Sequence, residues 1–158
     1  MKATLKTASI HALVIALFTA MTVWADDEPK PGAKDLALEQ ARAAIAKKDW
    51  PAAQNVLRDA VARDPQNADY HNLYAYSMRK GPNPSMDLVF RHYNEALRLD
   101  PWHLGAHEYI GEAYLMSGNV PKAKEHLAQL DKLCTFGCEE YTKLKKEIAS
   151  YEQQHAKK

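Results

Sequence analysis

LALEQARAAIAKKDWPAAQNVLRDAVARDP, residues 36–65, reads as one helix, a polar corner and a second helix with small residues along one side. HEYIGEAYLMSGNVPKAKEHLAQL, residues 107–130, repeats that order. Between them, YHNLYAYSMRKGPNPSMDLVFRHYNEALRLDP, residues 70–101, repeats it again with a longer corner. Small residues such as Ala41, Ala75 and Gly111 mark places where helices cross closely, and Leu57, Tyr93 and Leu127 fill the space around them. Pro65 and Pro101 each follow a second helix and stop it, because proline has no amide hydrogen to continue the ladder. Internal repetition at this period points to stacked helical pairs, which bury their apolar faces only against their neighbours.

The pattern resembles the tetratricopeptide repeat, a unit of two antiparallel helices. In a first unit, 34–67, the matching residues are Ala41, Ala44, Ala53, Leu57, Ala60 and Pro65. A second, 68–103, has Ala75, Val89, Tyr93, Ala96 and Pro101, with two extra residues in GPNPSMD. The third, 104–137, has Gly111, Tyr114, Ala123 and Leu127, but Thr135 stands in place of the closing proline. After it, Tyr141, Leu144, Ile148 and Tyr151 form one apolar stripe in EEYTKLKKEIASYEQQ, which suits a capping helix over 138–152. Residues 153–158 are then expected as a disordered tail. The fold class that follows is all-α, a right-handed α-solenoid of three helix pairs plus a cap.

The N-terminus sets the expected compartment. Lys2 and Lys6 precede the apolar run IHALVIALF, and Val23 and Ala25 offer small residues at a cleavage site, the secretory pattern. The expectations are therefore a signal peptide at 1–25, a flexible leader at 26–33, a periplasmic or secreted location, and no permanent membrane insertion after cleavage. The 158-residue chain has 21 basic and 20 acidic side chains, and losing two lysines with the signal leaves 19 against 20. That balance provides no concentrated cationic surface for nucleic acid.

Cys134 and Cys138 are the two cysteines, four positions apart across Gly137. A secreted chain favours a structural disulfide between them; a redox pair and a metal site are the alternatives. A haem-attachment C-x-x-C-H is absent. His103 and His107, also four apart, are low-ranking metal candidates, and Gly111 stands where a zincin motif needs its second histidine. Met78, Met86 and Met116 are scattered rather than clustered. No phosphate loop, nucleophile elbow or catalytic carboxylate pair is legible, so neither enzyme activity nor a cofactor is expected.

The resemblance implies that the first helices line a concave groove. At its groove positions stand Arg42 in unit one, Asn72, Tyr76, Arg79 and Lys80 in unit two, and Glu108 and Glu112 in unit three. These residues are the expected protein-binding set: a cationic stripe, an aromatic platform and an acidic edge. Leu38 and Arg42 depart from the lysine–asparagine clamp of repeats that bind chaperone tails. The expected function is a non-catalytic interaction module, an assembly or maturation factor that binds an envelope protein or peptide. A metal or redox accessory protein and a structural subunit of an envelope complex are the alternatives.

Overall fold

The computed structural model describes residues 35–156, and the signal and leader expectations at 1–33 lie outside them. Seven helices fill the described chain: α1 (Leu36–Ala46), α2 (Trp50–Arg63), α3 (Ala68–Lys80), α4 (Met86–Leu99), α5 (Leu104–Met116), α6 (Val120–Leu133) and α7 (Glu139–His155). They pair as α1–α2, α3–α4 and α5–α6, each pair packs on the next, and α7 closes the stack. None of the described helices is long and apolar enough to cross a membrane.

Local chemistry sets where the helices start and stop. Asp35, Asp49, Asn67, His103 and Asn119 each accept a hydrogen bond from a backbone N–H in the first turn of the helix that follows. Pro51 and Pro121 occupy first turns, where a missing N–H costs nothing. The second helices of units one and two end at Arg63 and Leu99, just ahead of Pro65 and Pro101. In units one and three the corner between paired helices contains a left-handed residue at the same place, Lys48 at φ 58° and Gly118 at φ 74°. The longer corner of unit two, 81–85, holds the two extra residues.

Three apolar clusters run along the stack. The first is Ala41, Ala53 and Leu57; the second is Ala75, Val89, Tyr93, Ile110 and Ala113; the third is Leu115, Ala123, Leu130, Leu144 and Ile148. The alanines bring backbones together, and the larger side chains fill the space between successive pairs. Gly111 makes the closest approach: a Cβ there would sit 2.5 Å from Leu144 Cδ2. Leu144 is fully buried, so the cap reaches the stack only because residue 111 lacks a side chain.

Cys134 ends α6 and Cys138 caps α7, with their sulfurs at disulfide distance, 2.05 Å, and their Cα atoms 5.5 Å apart. Gly137 turns the chain between them at φ 83°. The cap is longer than its apolar stripe suggested. It continues beyond 152 to His155, whose ring stacks on Tyr151 at 3.9 Å and whose Nδ1 donates to the Tyr151 carbonyl at 2.7 Å.

Two predictions follow from this packing. Gly111→Ala overpacks against Leu144, costing about 1–3 kcal/mol, while the helix gains only about 1 kcal/mol in propensity. Urea unfolding should show a net loss of up to about 2 kcal/mol, and the same change in a Leu144→Ala chain should cost nothing or stabilise. Equal effects in both backgrounds would refute the contact. Oxidised full-length protein should have no alkylatable thiols under denaturing conditions, and reduction should lower its stability by about 2 kcal/mol, the entropy of so short a loop.

Candidate protein-binding groove

The first helices of units two and three, together with α7, enclose a groove of about 570 Å³. Arg79, Lys80, Glu112, Leu115 and Met116 line it from α3 and α5. Glu147, Ser150, Tyr151, Gln154 and His155 form its α7 wall at helical spacing. Four of the expected site residues converge near this groove: Arg79, Lys80 and Glu112 line it, and Tyr76 lies within cation–π reach of Arg79 and Lys80, at 5.6 and 6.0 Å.

Arg79 is not an open cation. Its side chain is only 3% exposed, Nη2 donates to Glu112 Oε2 at 2.6 Å, and Nε donates to the Tyr93 hydroxyl at 3.3 Å. Burial alone would pull its pKa down, but Tyr93 and Glu112 beside it raise it instead. A guanidinium held this way cannot be offered to a partner without breaking the floor of the groove, so the cationic stripe loses its centre. Lys80 remains exposed at the rim.

The other expected residues divide by burial. Arg42 is exposed on α1, near enough to Asp69 to help depress the pKa of that carboxylate, whose main partner is the His103 ring. Asn72 is 3% exposed, and its buried Oδ1 has no hydrogen-bond partner. Its amide Nδ2 lies against Gly105, where a Cβ would come within 3.4 Å. Glu108 is likewise 3% exposed. Both are nearly closed to solvent, Asn72 against Gly105 of α5 and Glu108 close to Lys143 of α7.

Sequence reasoning missed two features of this region. Tyr76 is one rung of an aromatic row, with Trp50 at 6.2 Å and Tyr109 at 4.6 Å. The α7 wall was missed because that helix was assigned only a covering role, although 147, 150, 151 and 154 already show the spacing of a single helical face.

The histidines are also rearranged. His103 and His107 do not share a face, because His103 is the extended N-cap of α5 and lies outside the helix. Its Nδ1 accepts from the Ala106 N–H at 3.2 Å, and its Nε2 donates to Asp69 at 3.2 Å. His107 instead donates from Nε2 to the Pro101 carbonyl at 3.1 Å and sets its Nδ1 3.0 Å from Nδ1 of His126. The same arrangement occurs one unit earlier: His71 donates to the Pro65 carbonyl at 3.1 Å and meets His92 at 2.9 Å. Burial, reinforced by the neighbouring histidine, lowers the pKa of both His92 and His126 to about 4. Among the described residues, no group of three or more His, Cys, Asp or Glu side chains is placed to hold a metal ion.

Burial raises the Glu108 carboxyl to about 7; Lys143 opposes the shift, and Glu112, Glu140 and Glu139 add to it. The folded chain thus holds this proton more tightly than the unfolded chain does. Its contribution to stability is greatest below the ordinary value of 4.5 and is lost as pH rises through about 7. Glu108→Gln should flatten that slope in denaturant titrations and stabilise the protein at pH 8 by about 1–2 kcal/mol. An unchanged slope between pH 5 and 8 would exclude Glu108 as its source.

A tetratricopeptide-repeat family model matches residues 15–75. No curated protein matches the chain. Among solved structures, the chain is similar to the TPR2B domain of yeast Sti1, solved in a complex with pHsp70. The identity is 20% and the TM-score 0.59, with 75% of this chain and 95% of that one covered. It is also similar to the Arabidopsis OM64 TPR domain, at 18% identity and a TM-score of 0.56, with 73% and 93% covered. The family match over the first part of the sequence, the three stacked helical pairs and the solved domains of the same shape agree on the fold: an all-α solenoid similar to that of tetratricopeptide-repeat domains.

Proposed function

We propose that the chain is a non-catalytic protein-interaction module of the cell envelope that seats an extended segment of a partner in the groove between α3, α5 and α7. The supporting observation is the construction of that groove. Its floor is a closed, charge-balanced network of Arg79, Glu112 and Tyr93, while its rim leaves Lys80 exposed and Met116 56% exposed. A rigid floor with an apolar and a cationic contact above it suits a segment bearing an apolar anchor beside an acidic group. The Sti1 domain was solved in a complex with pHsp70, which supports a partner-binding role for this fold. The N-terminal secretory pattern and a cysteine pair at disulfide distance support the envelope location.

The test begins with affinity capture from an envelope fraction and mass spectrometry of what co-purifies. Lys80→Glu combined with Met116→Ala should then weaken binding of the captured partner tenfold or more, about 1.4 kcal/mol, with helical content unchanged. A control on the exposed face of α6, Lys122→Ala with Gln129→Ala, should bind normally. Loss of binding in the control alone would place the site outside the groove. Arg79 is unsuitable for this test because its removal disturbs the floor itself.

A further inference from the structure

The turns between units carry the two most exposed large apolar side chains among the described residues. Trp102 is 71% exposed and Phe136 101%. Each stands two residues after the C-cap of a second helix, Asp100 for α4 and Cys134 for α6. The equivalent residue after Asp64, the C-cap of α2, is Gln66. The first inter-unit turn thus has a carboxylate without an aromatic, the third an aromatic without a carboxylate, and the second, at Trp102, has both. Beside Trp102 a hollow of about 560 Å³ opens between the first two turns, lined by Asp64, Asp69, Asp100 and His103 and by no lysine or arginine.

Two of these carboxylates are free to take a ligand. Asp64 and Asp100 each use Oδ1 to accept from the N–H two residues on, that of Gln66 at 3.1 Å and that of Trp102 at 3.0 Å. The Oδ2 of each makes no hydrogen bond or ion pair among the described residues. The nearest arginines in sequence are engaged elsewhere. Arg63 Nε donates to the Asp59 carbonyl at 3.2 Å, and Arg98 forks onto Glu95 at 2.7 and 2.9 Å. Asp69 differs, being held by His103 Nε2 at 3.2 Å with Arg42 nearby. The C-terminal ends of α2 and α4 add partial negative charge to the hollow, whereas the N-terminal ends of α3 and α5 are capped by Asn67 and His103.

We infer that this hollow is a second docking surface, for an arginine-bearing segment of a partner protein. The guanidinium lies on the Trp102 indole and donates its N–H groups to Asp64 and Asp100. An indole face attracts a cation through its quadrupole. Arginine suits the site better than lysine, because a planar guanidinium stacks on the ring and still presents N–H groups at its edge to carboxylates. The hollow shares no lining residue with the groove, so this surface stands or falls independently of the proposed function.

The experiment titrates the full chain at low salt with the blocked peptide acetyl-Gly-Arg-Arg-Gly-amide. Nuclear magnetic resonance follows the Trp102 indole N–H and the backbone amides of the same turn; Trp102→Phe identifies that indole among the three tryptophans. Binding should occur with a Kd of about 1 mM. The lysine counterpart should bind more weakly, and a glutamate counterpart should leave the turn unmoved. Trp102→Ala should weaken the arginine peptide about two- to fivefold, the size of an exposed cation–π contact. Asp64→Asn with Asp100→Asn keeps the Oδ1 acceptors that shape the turns, and should weaken binding about tenfold and remove most of its salt dependence. Phe136→Ala, and the groove variant Lys80→Glu with Met116→Ala, should bind normally; circular dichroism checks every fold. No shift at about 10 mM peptide would overturn the inference. So would equal binding of the lysine peptide, or binding unchanged by the indole or the carboxylate substitutions in folded variants. Loss of binding in the Phe136 or groove variant would place the peptide elsewhere and overturn it equally.

Discussion

A buried guanidinium joins the middle of this protein. Arg79 reaches from α3 to Glu112 on α5 and to the Tyr93 hydroxyl on α4, so one side chain ties together three helices in two successive units. Tyr93 occupies the place that Leu57 and Leu127 hold in the other units, and its hydroxyl is what lets a fully buried ring take part. A pair buried this deeply adds little net stability over an apolar substitute, yet removing one partner alone strands the other charge. The network therefore acts mainly on geometry: it fixes the spacing of first helices where the groove has its floor.

The groove depends on that spacing and on the last helix. Gly111 lets Leu144 settle against α5, and the turn at Gly137 between the paired cysteines sets where α7 begins. From that start α7 runs along the groove and supplies a wall. A groove assembled from three helices in this way keeps its floor fixed. Its exposed chemistry is limited to what stands above the Arg79 network.

Much of the fold was legible in the sequence because repetition amplifies weak signals. Ala41, Ala75 and Gly111 recur at one position, and two prolines recur at another, so each confirms the register of the rest. The candidate site was less legible, because a register gives the face a residue occupies but not what lies opposite it. Arg79 and Glu112 both line the groove, yet nothing in the sequence shows that they neutralise each other. The histidine pairs were hidden for a similar reason. His71 and His92 lie on different helices, and their partnership shows only when the unit-three copy, His107 and His126, is laid over them. His103 and His107 attracted attention by adjacency, but an N-cap lies off the helix and the usual spacing rule does not apply.

The three apolar clusters are unequal, and this gives the stack a direction. Among the described residues the first has Ala41, Ala53 and Leu57 fully buried, while the last is closed by a helix whose start is pinned by neighbouring cysteines. In a stack whose units lean only on their neighbours, order spreads outward from the firmest one and frays at the loosest. Among the described residues the firm end is C-terminal. Synthesis delivers the loose end first, so the first helical pair leaves the ribosome before the surface that will template it exists. It must wait, exposed, for the rest of the chain to arrive.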